Sequence, residues 1–270
     1  MARWHTPVLV EEVLRFLAVR TDGSYLDVTV GTGGHAEAIR ARLTTGRLIG
    51  MDRDPMALEI AQERLRPYGA KLTLIQEDFA HLAEIQRRLG LGPVAGVLAD
   101  LGVSSLQLDT PERGFSFQRA GPLDMRMNPQ DPLTAAELVN HFPEGELAEI
   151  IRRYGEERSA RKIARAIVRV RPVRDTLHLA QVVAGTQNKG RQKLHPATRT
   201  FLALRIAVNR ELEELEQFLR RVPATMKSGG RVVVLAYHSL EDRLVKQAFR
   251  AGATAGWLRL LTRKPVRPGA

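Results

Sequence analysis

A chain of 270 residues is long enough for one large domain, or two smaller ones, around a real core. Its 44% apolar and 26% charged residues are ordinary for a globular protein. No apolar run reaches the length of a membrane span, and the lack of cysteine excludes disulfides, thiolate metal sites and cysteine nucleophiles. The net charge of +11 fits a polyanion partner, or an arginine-rich thermophilic composition spread over solvated faces; its distribution has to decide.

The opening stretch MARWHTPVLVEEVL carries Glu11 and Glu12 and does not read as a secretory signal, so a cytoplasmic location is expected. Apolar periodicity predicts a helix over 8–17, a strand over 25–30, a helix over 36–43 and a strand over 47–52. Asp54-Pro55 is a helix start, with Asp as N-cap and Pro at the first position, and that helix runs to Leu65. A strand over 71–76, a helix over 82–89 and a strand over 94–100 complete an alternating pattern. Such alternation implies a parallel, doubly wound sheet that binds its ligand beyond the C-terminal strand ends. Asp27, Asp52, Asp78 and Asp100 all fall at or just past such ends.

Beyond Asp100 the pattern breaks. Residues 100–132 are rich in turn formers, and the segments 133–174, 176–184 and 196–221 have helical periodicity, with a break expected at Pro223. A fifth strand over 231–237 follows a turn at Gly229-Gly230. The expected fold class is α/β, a Rossmann-like, mostly parallel sheet interrupted by an all-helical insertion. The expected domains are 1–106 and 209–270 for the two parts of the sheet domain and 107–208 for the insertion.

The basic charge gathers in that insertion, where residues 158–199 hold eleven Lys or Arg and one acid, Asp175. Arg158, Lys162, Arg165 and Arg169 share one helical face, opposite Ala160, Ile163, Ala164 and Ile167. Such a one-signed face favours nucleic acid over a merely solvated surface.

The segment YLDVTVGTGGH (25–35), closed by Asp52, is a strand–glycine turn–helix unit with an acid about 20 residues on, which suits a nucleoside cofactor. Ala36 and Glu37 stand where a dinucleotide fingerprint needs its third glycine, and His35 is bulky where a pyrophosphate needs bare backbone. Together with Asp27 before the turn, this spacing favours S-adenosylmethionine over a dinucleotide.

Nine segments occur in fixed order: HTPVLVEEVL, DVTVGTGGH, DRDPMAL, DLGVSSLQLD, RGFSF, DMRM, YGEE, HPATRTFLALRIAVN and HSLEDRLVK. They span essentially the whole chain, which resembles the MraW-type family of S-adenosylmethionine-dependent 16S rRNA cytosine-N4 methyltransferases. The resemblance implies a class I methyltransferase domain with a helical insertion. It also implies cofactor contacts from Gly33, Gly34, His35, Asp52, Phe79, Asp100 and Gln107, and as partner 16S rRNA within the small ribosomal subunit, with no membrane and a homodimer as one admissible assembly. Leu106 and Tyr237 depart from the family's usual Pro and Phe, and its basic C-terminal elements have no match here.

Methyl transfer from a sulfonium needs in-line alignment, and a cytosine amine needs an acceptor for the proton it loses. Asp100 sits where amino-methyltransferases place the first residue of their [DNS]-P-P-[YFW] motif. The sequence there reads DLGV, and Phe115, Phe117 or Tyr237 could supply a stacking platform in place of the missing aromatic. Asp100 is expected to orient the amine or the methionine end of the cofactor, and His238 to act as a proton acceptor or base contact, while Ser239 caps the next helix. Arg113, Arg126, Lys193 and Arg199 are the candidate phosphate contacts. Ion pairs with Asp109, Glu112 or Asp124 are the competing role for Arg113 and Arg126. No metal is expected. A base-amine methyltransferase of other specificity, a dinucleotide oxidoreductase and a non-catalytic RNA-binding assembly protein are the alternatives.

Overall fold

The structure is a computed structural model that describes residues 7–186 and 194–268. In chain order, α1 (Val10–Leu17) leads to β1 (Ser24–Asp27), α2 (Gly34–Arg40), β2 (Arg47–Asp52), α3 (Pro55–Leu65), β3 (Leu72–Gln76), α4 (Leu82–Arg88) and β4 (Val94–Asp100). The helices α5 (Ser105–Asp109), α6 (Ala135–His141), α7 (Glu144–Gly155), α8 (Ala160–Arg169), α9 (Thr176–Gly185) and α10 (Thr198–Asn209) follow. The chain closes with α11 (Glu211–Thr225), β5 (Met226–Leu235) and α12 (Ser239–Thr254). It divides into two compact units, one of Met1–Gly102 with Leu212–Ala270 and one of Val103–Glu211.

The first unit is an α/β sheet in the order β3-β2-β1-β4-β5, with every described pair parallel. Alternate side chains along each strand feed two separate cores, as a period of two requires. Tyr25, Leu48 and Leu98 face α1, α2 and α3, together with Val13, Leu17 and Ile39. Leu26, Ile49 and Val97 face the other way, onto Leu82 and Ile85 of α4 and Leu215 and Phe218 of α11. Each such buried apolar side chain stabilises the fold by about 1.5–3 kcal/mol. From β1 the chain builds outward to β2 and β3, then returns to place β4 on the other side. The switch point therefore lies beyond the ends of β1 and β4, where open α/β sheets bind ligands.

Three local expectations change. β1 stops at Asp27, yet Val28 N–H still donates to Leu98 O (2.9 Å) and Val30 N–H to Met51 O (2.8 Å), so the chain is stitched first to β4 and then to β2 as it enters the glycine turn. Gly229-Gly230 lies inside β5 and not ahead of it. The register jumps there from Val94↔Met226 to Gly96↔Arg231, and Gly229 has φ +75°, so the pair forms a bulge. The long helical run breaks at Arg210, in the left-handed region (φ 50°), and Pro223 is accommodated in the last turn of α11 because Leu215, Phe218, Leu219 and Val222 hold that helix in the core.

The second unit is helical around its own core, which includes Leu138, Leu147, Ile151, Ile163, Ile167, Leu179 and Leu204. In α8, Ala160, Ile163, Ala164 and Ile167 are buried, and Arg161, Lys162, Arg165 and Arg169 are exposed. The loop before α6 is pinned by Asn209 of α10, whose side chain accepts from Met127 N–H and donates to Met125 O, both at 2.7 Å.

Candidate active site

The glycine turn between β1 and α2 holds Gly31 and Gly33 at φ +52° and +86°, conformations that favour glycine. At Gly33 an added Cβ would also lie 3.1 Å from Leu65. At Gly31 it would meet nothing nearer than Thr29 O at 4.0 Å, so space over the turn is open to a ligand.

Asp52, at the end of β2, grips this turn. Its Oδ2 accepts from Gly31 N–H at 2.8 Å and its Oδ1 from Asp54 N–H at 2.9 Å. Each oxygen keeps a lone pair that can meet a ribose hydroxyl. Burial pushes the Asp52 carboxyl up to about 6, against the pull of those two amide bonds.

Asp27 ends β1 fully buried, at 1% exposure, with Oδ1 accepting from Thr29 N–H at 3.3 Å and Oδ2 without a partner. Burial drives its carboxyl up to about 7, although the nearby His35 pulls the other way. A buried lone carboxylate oxygen beside an open glycine turn suits a cationic ligand.

Asp100, at the end of β4, is held from three sides. Its amide donates to Thr29 Oγ1 at 2.6 Å, its Oδ2 lies 3.5 Å from Nε2 of His35 in the first turn of α2, and its Oδ1 accepts from the Tyr237 hydroxyl at 2.7 Å. The ring nitrogens of His35 are buried and have no hydrogen-bond partner. Partial desolvation of the hydroxyl end and the neighbouring Asp100 carboxylate raise the Tyr237 hydroxyl above its ordinary range, so it stays protonated and donates, while the residue as a whole is exposed.

Phe79 stands just beyond β3, edge-on to Phe218 with centroids 5.6 Å apart and partly exposed. Beside it, Arg53 bridges Asp78 and Glu214. Sequence reading missed Arg53 and Glu214, because only the fold brings α11 to the ends of β2 and β3. Gly33, Gly34, His35, Asp52, Phe79 and Asp100 thus belong to one unit and gather at the C-terminal edge of its sheet.

Other expected site residues have structural duties. His238 is the N-cap of α12, displacing Ser239 from that role. Its ring accepts from Glu241 N–H at 3.5 Å through Nδ1, and its Nε2 lies 3.1 Å from Glu241 Oε1 without a hydrogen-bond partner, so the residue caps the helix and no hydrogen bond among the described residues joins it to Asp100. In the helical unit Gln107 is buried and completes a capping box with Ser104. Arg113 is buried and donates to the carbonyls of Arg126 and Met127, both at 2.9 Å, which removes it from a phosphate surface. Arg126 is forked onto Asp124 at 2.8 Å through two nitrogens. Arg199 remains about half exposed while donating to Glu156 O. Lys193 lies outside the described residues. Phe115 is in the helical core, and Phe117 packs on His195 and Phe201.

The basic face of α8 is less one-signed in three dimensions than along the chain. A cleft of about 680 Å³ is lined by Arg152, Arg158, Arg161 and Lys162, but also by Glu144 and Glu149 of α7. Arg165 contacts Glu144 at 3.4 Å.

A glycine turn gripped from the next strand by a carboxylate, with further acids across the switch point, is how a Rossmann-like methyltransferase sheet receives a nucleoside cofactor, and that is the class this unit defines. Within it, the chain belongs to the MraW methylase family, whose family model matches residues 2–270. Proteins called ribosomal RNA small subunit methyltransferase H are similar over nearly the whole chain. That of Koribacter versatilis (strain Ellin345) is 50% identical over 97% of this chain and 86% of its own. That of Acidobacterium capsulatum is 49% identical over 98% and 91%, and that of Pelobacter propionicus 52% over 93% and 83%.

Proposed function

We propose that this protein transfers a methyl group from S-adenosylmethionine to the exocyclic N4 amine of a cytidine in 16S rRNA of the small ribosomal subunit. Family membership and the relatives' names support an rRNA methyltransferase. The observation that carries the base-amine chemistry is Asp100, a carboxylate at the switch point held by Thr29 and Tyr237 and facing His35 beside the glycine turn.

When bound, S-adenosylmethionine supplies an electrophilic methyl on a sulfonium. Asp52 holds the ribose, Phe79 walls the adenine, and the turn at Gly31, Gly33 and Gly34 admits the cofactor against the backbone. Asp27, buried and anionic once it ionises, complements the positive charge. Asp100 accepts an N–H bond from the cytosine amine, which localises the nitrogen lone pair toward the methyl. With the cofactor held by these residues, transfer of its methyl would leave the sulfur as a neutral thioether, and Asp100 would take up the surplus proton of the amine. The helical unit, with Arg158, Arg161, Lys162, Arg169 and Arg199 exposed, binds the rRNA backbone, and the target base is unstacked to reach the sheet edge.

Incubating the protein with labelled S-adenosylmethionine and small ribosomal subunits, then mapping the labelled nucleotide, tests this reading. Label on a cytidine N4 is expected; label on another base amine, or on tRNA in preference, sinks the assignment. Asp100→Asn is expected to bind S-adenosylhomocysteine normally and to lose roughly 10²- to 10⁴-fold in turnover. Near-normal turnover with saturating cofactor removes Asp100 from the chemistry.

A further inference from the structure

We infer that the target base stacks on the ring of Tyr237, with its exocyclic amine turned toward Asp100. This inference rests on the methyl-transfer reading above and names the part of the site that receives the base. The turn after β4 reads Asp100-Leu101-Gly102-Val103 and lacks the aromatic that amino-methyltransferases carry at that point of the chain. The fold replaces it from a different strand. Tyr237 follows β5, and its ring lies along the backbone of the β4 turn. At Gly102 (φ +89°) an added Cβ would sit 3.5 Å from Tyr237 Cδ2.

Tyr237 is fixed at both ends. Its amide donates to Glu241 Oε2 at 2.8 Å and its hydroxyl to Asp100 Oδ1 at 2.7 Å. Yet the residue is 57% exposed, an unusual state for an aromatic whose polar tip is already satisfied. A pre-oriented ring with an open face provides a stacking platform at little entropic cost. The competing aromatics are engaged. Phe115 is 7% exposed in the helical core, Phe117 lies 4.6 Å from His195 and 4.8 Å from Phe201, and Phe79 is edge-packed on Phe218.

The hydroxyl is a donor, so Asp100 keeps acceptor capacity for the amine of a base lying on the ring. Stacking alone does not choose among bases. Tyr237 therefore supplies affinity and placement, and the hydrogen bond to Asp100 selects a base that has an amine. The titratable groups facing this carboxylate are His35 from α2 and Asp27 from β1, and Glu241 of α12 stands behind the Tyr237 amide.

The test compares Tyr237→Leu and Tyr237→Phe with the wild-type protein. It measures kcat and KM for methylation of small ribosomal subunits, and S-adenosylhomocysteine affinity by calorimetry. Loss of the ring in Tyr237→Leu is expected to reduce kcat/KM for subunits by roughly 5- to 100-fold, in line with one lost base stack, with the cofactor-product affinity unchanged. Tyr237→Phe is expected to keep the KM for subunits.

The inference is overturned if Tyr237→Leu stays within twofold of wild-type kcat/KM, or if its loss is matched by an equal loss of S-adenosylhomocysteine affinity. It is also overturned if Tyr237→Phe raises KM as much as Tyr237→Leu does. Wild-type protein that methylates no RNA base refutes the underlying function instead, and is told apart because no variant is needed to see it.

Discussion

Replacing Asp52 with Asn tests the cofactor site most directly, because both carboxylate oxygens already accept backbone N–H bonds, from Gly31 at 2.8 Å and from Asp54 at 2.9 Å. An amide side chain satisfies only one of these donors and turns its own NH₂ against the other, so the glycine turn loosens on one side. It also loses the charge that strengthens two ribose hydrogen bonds. At the low end of about 1.5 kcal/mol for each bond to a charged group, the loss is about 3 kcal/mol, or roughly 150-fold in affinity.

The pH dependence is a second, independent reading. With the Asp52 carboxyl near 6, about a tenth is ionised one pH unit lower, so wild-type affinity for S-adenosylhomocysteine is expected to weaken roughly tenfold from pH 7 toward pH 5. Stability without ligand runs the opposite way. The folded pKa is raised, so this carboxyl's contribution is fully present below about 4 and is lost as pH rises through about 6. Calorimetric titration with S-adenosylhomocysteine at four or five pH values, on wild type and Asp52→Asn, measures both effects. Affinity of the variant within threefold of wild type, or a flat wild-type profile between pH 5 and 7.5, would falsify the ribose-carboxylate assignment.

Asp27→Asn removes a buried ionisable group whose carboxyl is raised to about 7, so it is expected to stabilise the unliganded protein by roughly 2–4 kcal/mol at pH 8 and by almost nothing at pH 4; thermal melts at the two pH values check this. The same variant is expected to bind S-adenosylmethionine more weakly, and an equal or lower melting temperature at pH 8 contradicts the desolvation argument. Gly33→Ala forces a side chain into φ +86° with Leu65 at 3.1 Å, which should cost on the order of 1–3 kcal/mol and abolish measurable cofactor binding; unchanged binding and melting dismiss the strain. Reversing Arg158, Arg161 and Lys162 to Glu is expected to weaken subunit binding and reduce the slope of log affinity against log salt by about 2, leaving S-adenosylhomocysteine affinity alone. An unaltered slope moves the RNA contact to another surface.

The alternation of strands and helices, the glycine turn and the strand-end acids were legible in the chain because they are local. Period-two and helical spacing report burial within one element, and a strand followed by Gly31, Gly33 and Gly34 permits few conformations. The buried face of α8 was legible for the same reason, from Ala160, Ile163, Ala164 and Ile167. The ends of elements were less so. Gly229-Gly230 reads as a turn in any local window, and only pairing with β4 makes it a bulge within β5.

The duties of individual polar residues depended on partners far away in the chain. Arg113 reads as a phosphate contact or an ion-pair member until the carbonyls of Arg126 and Met127 close around it, and the helix-capping duty that the chain suggests for Ser239 falls to His238. Glu144 and Glu149 temper a basic cleft whose own segment shows almost no acid. Sequence alone determined the fold class, the glycine turn and the strand-end positions of Asp52 and Asp100, because side-chain periodicity and backbone freedom are properties of neighbours along the chain. Only tertiary structure decided that Asp100 is held by Thr29 and Tyr237, and which cations remain exposed, because hydrogen bonding and desolvation are set by what the fold brings within a few ångströms.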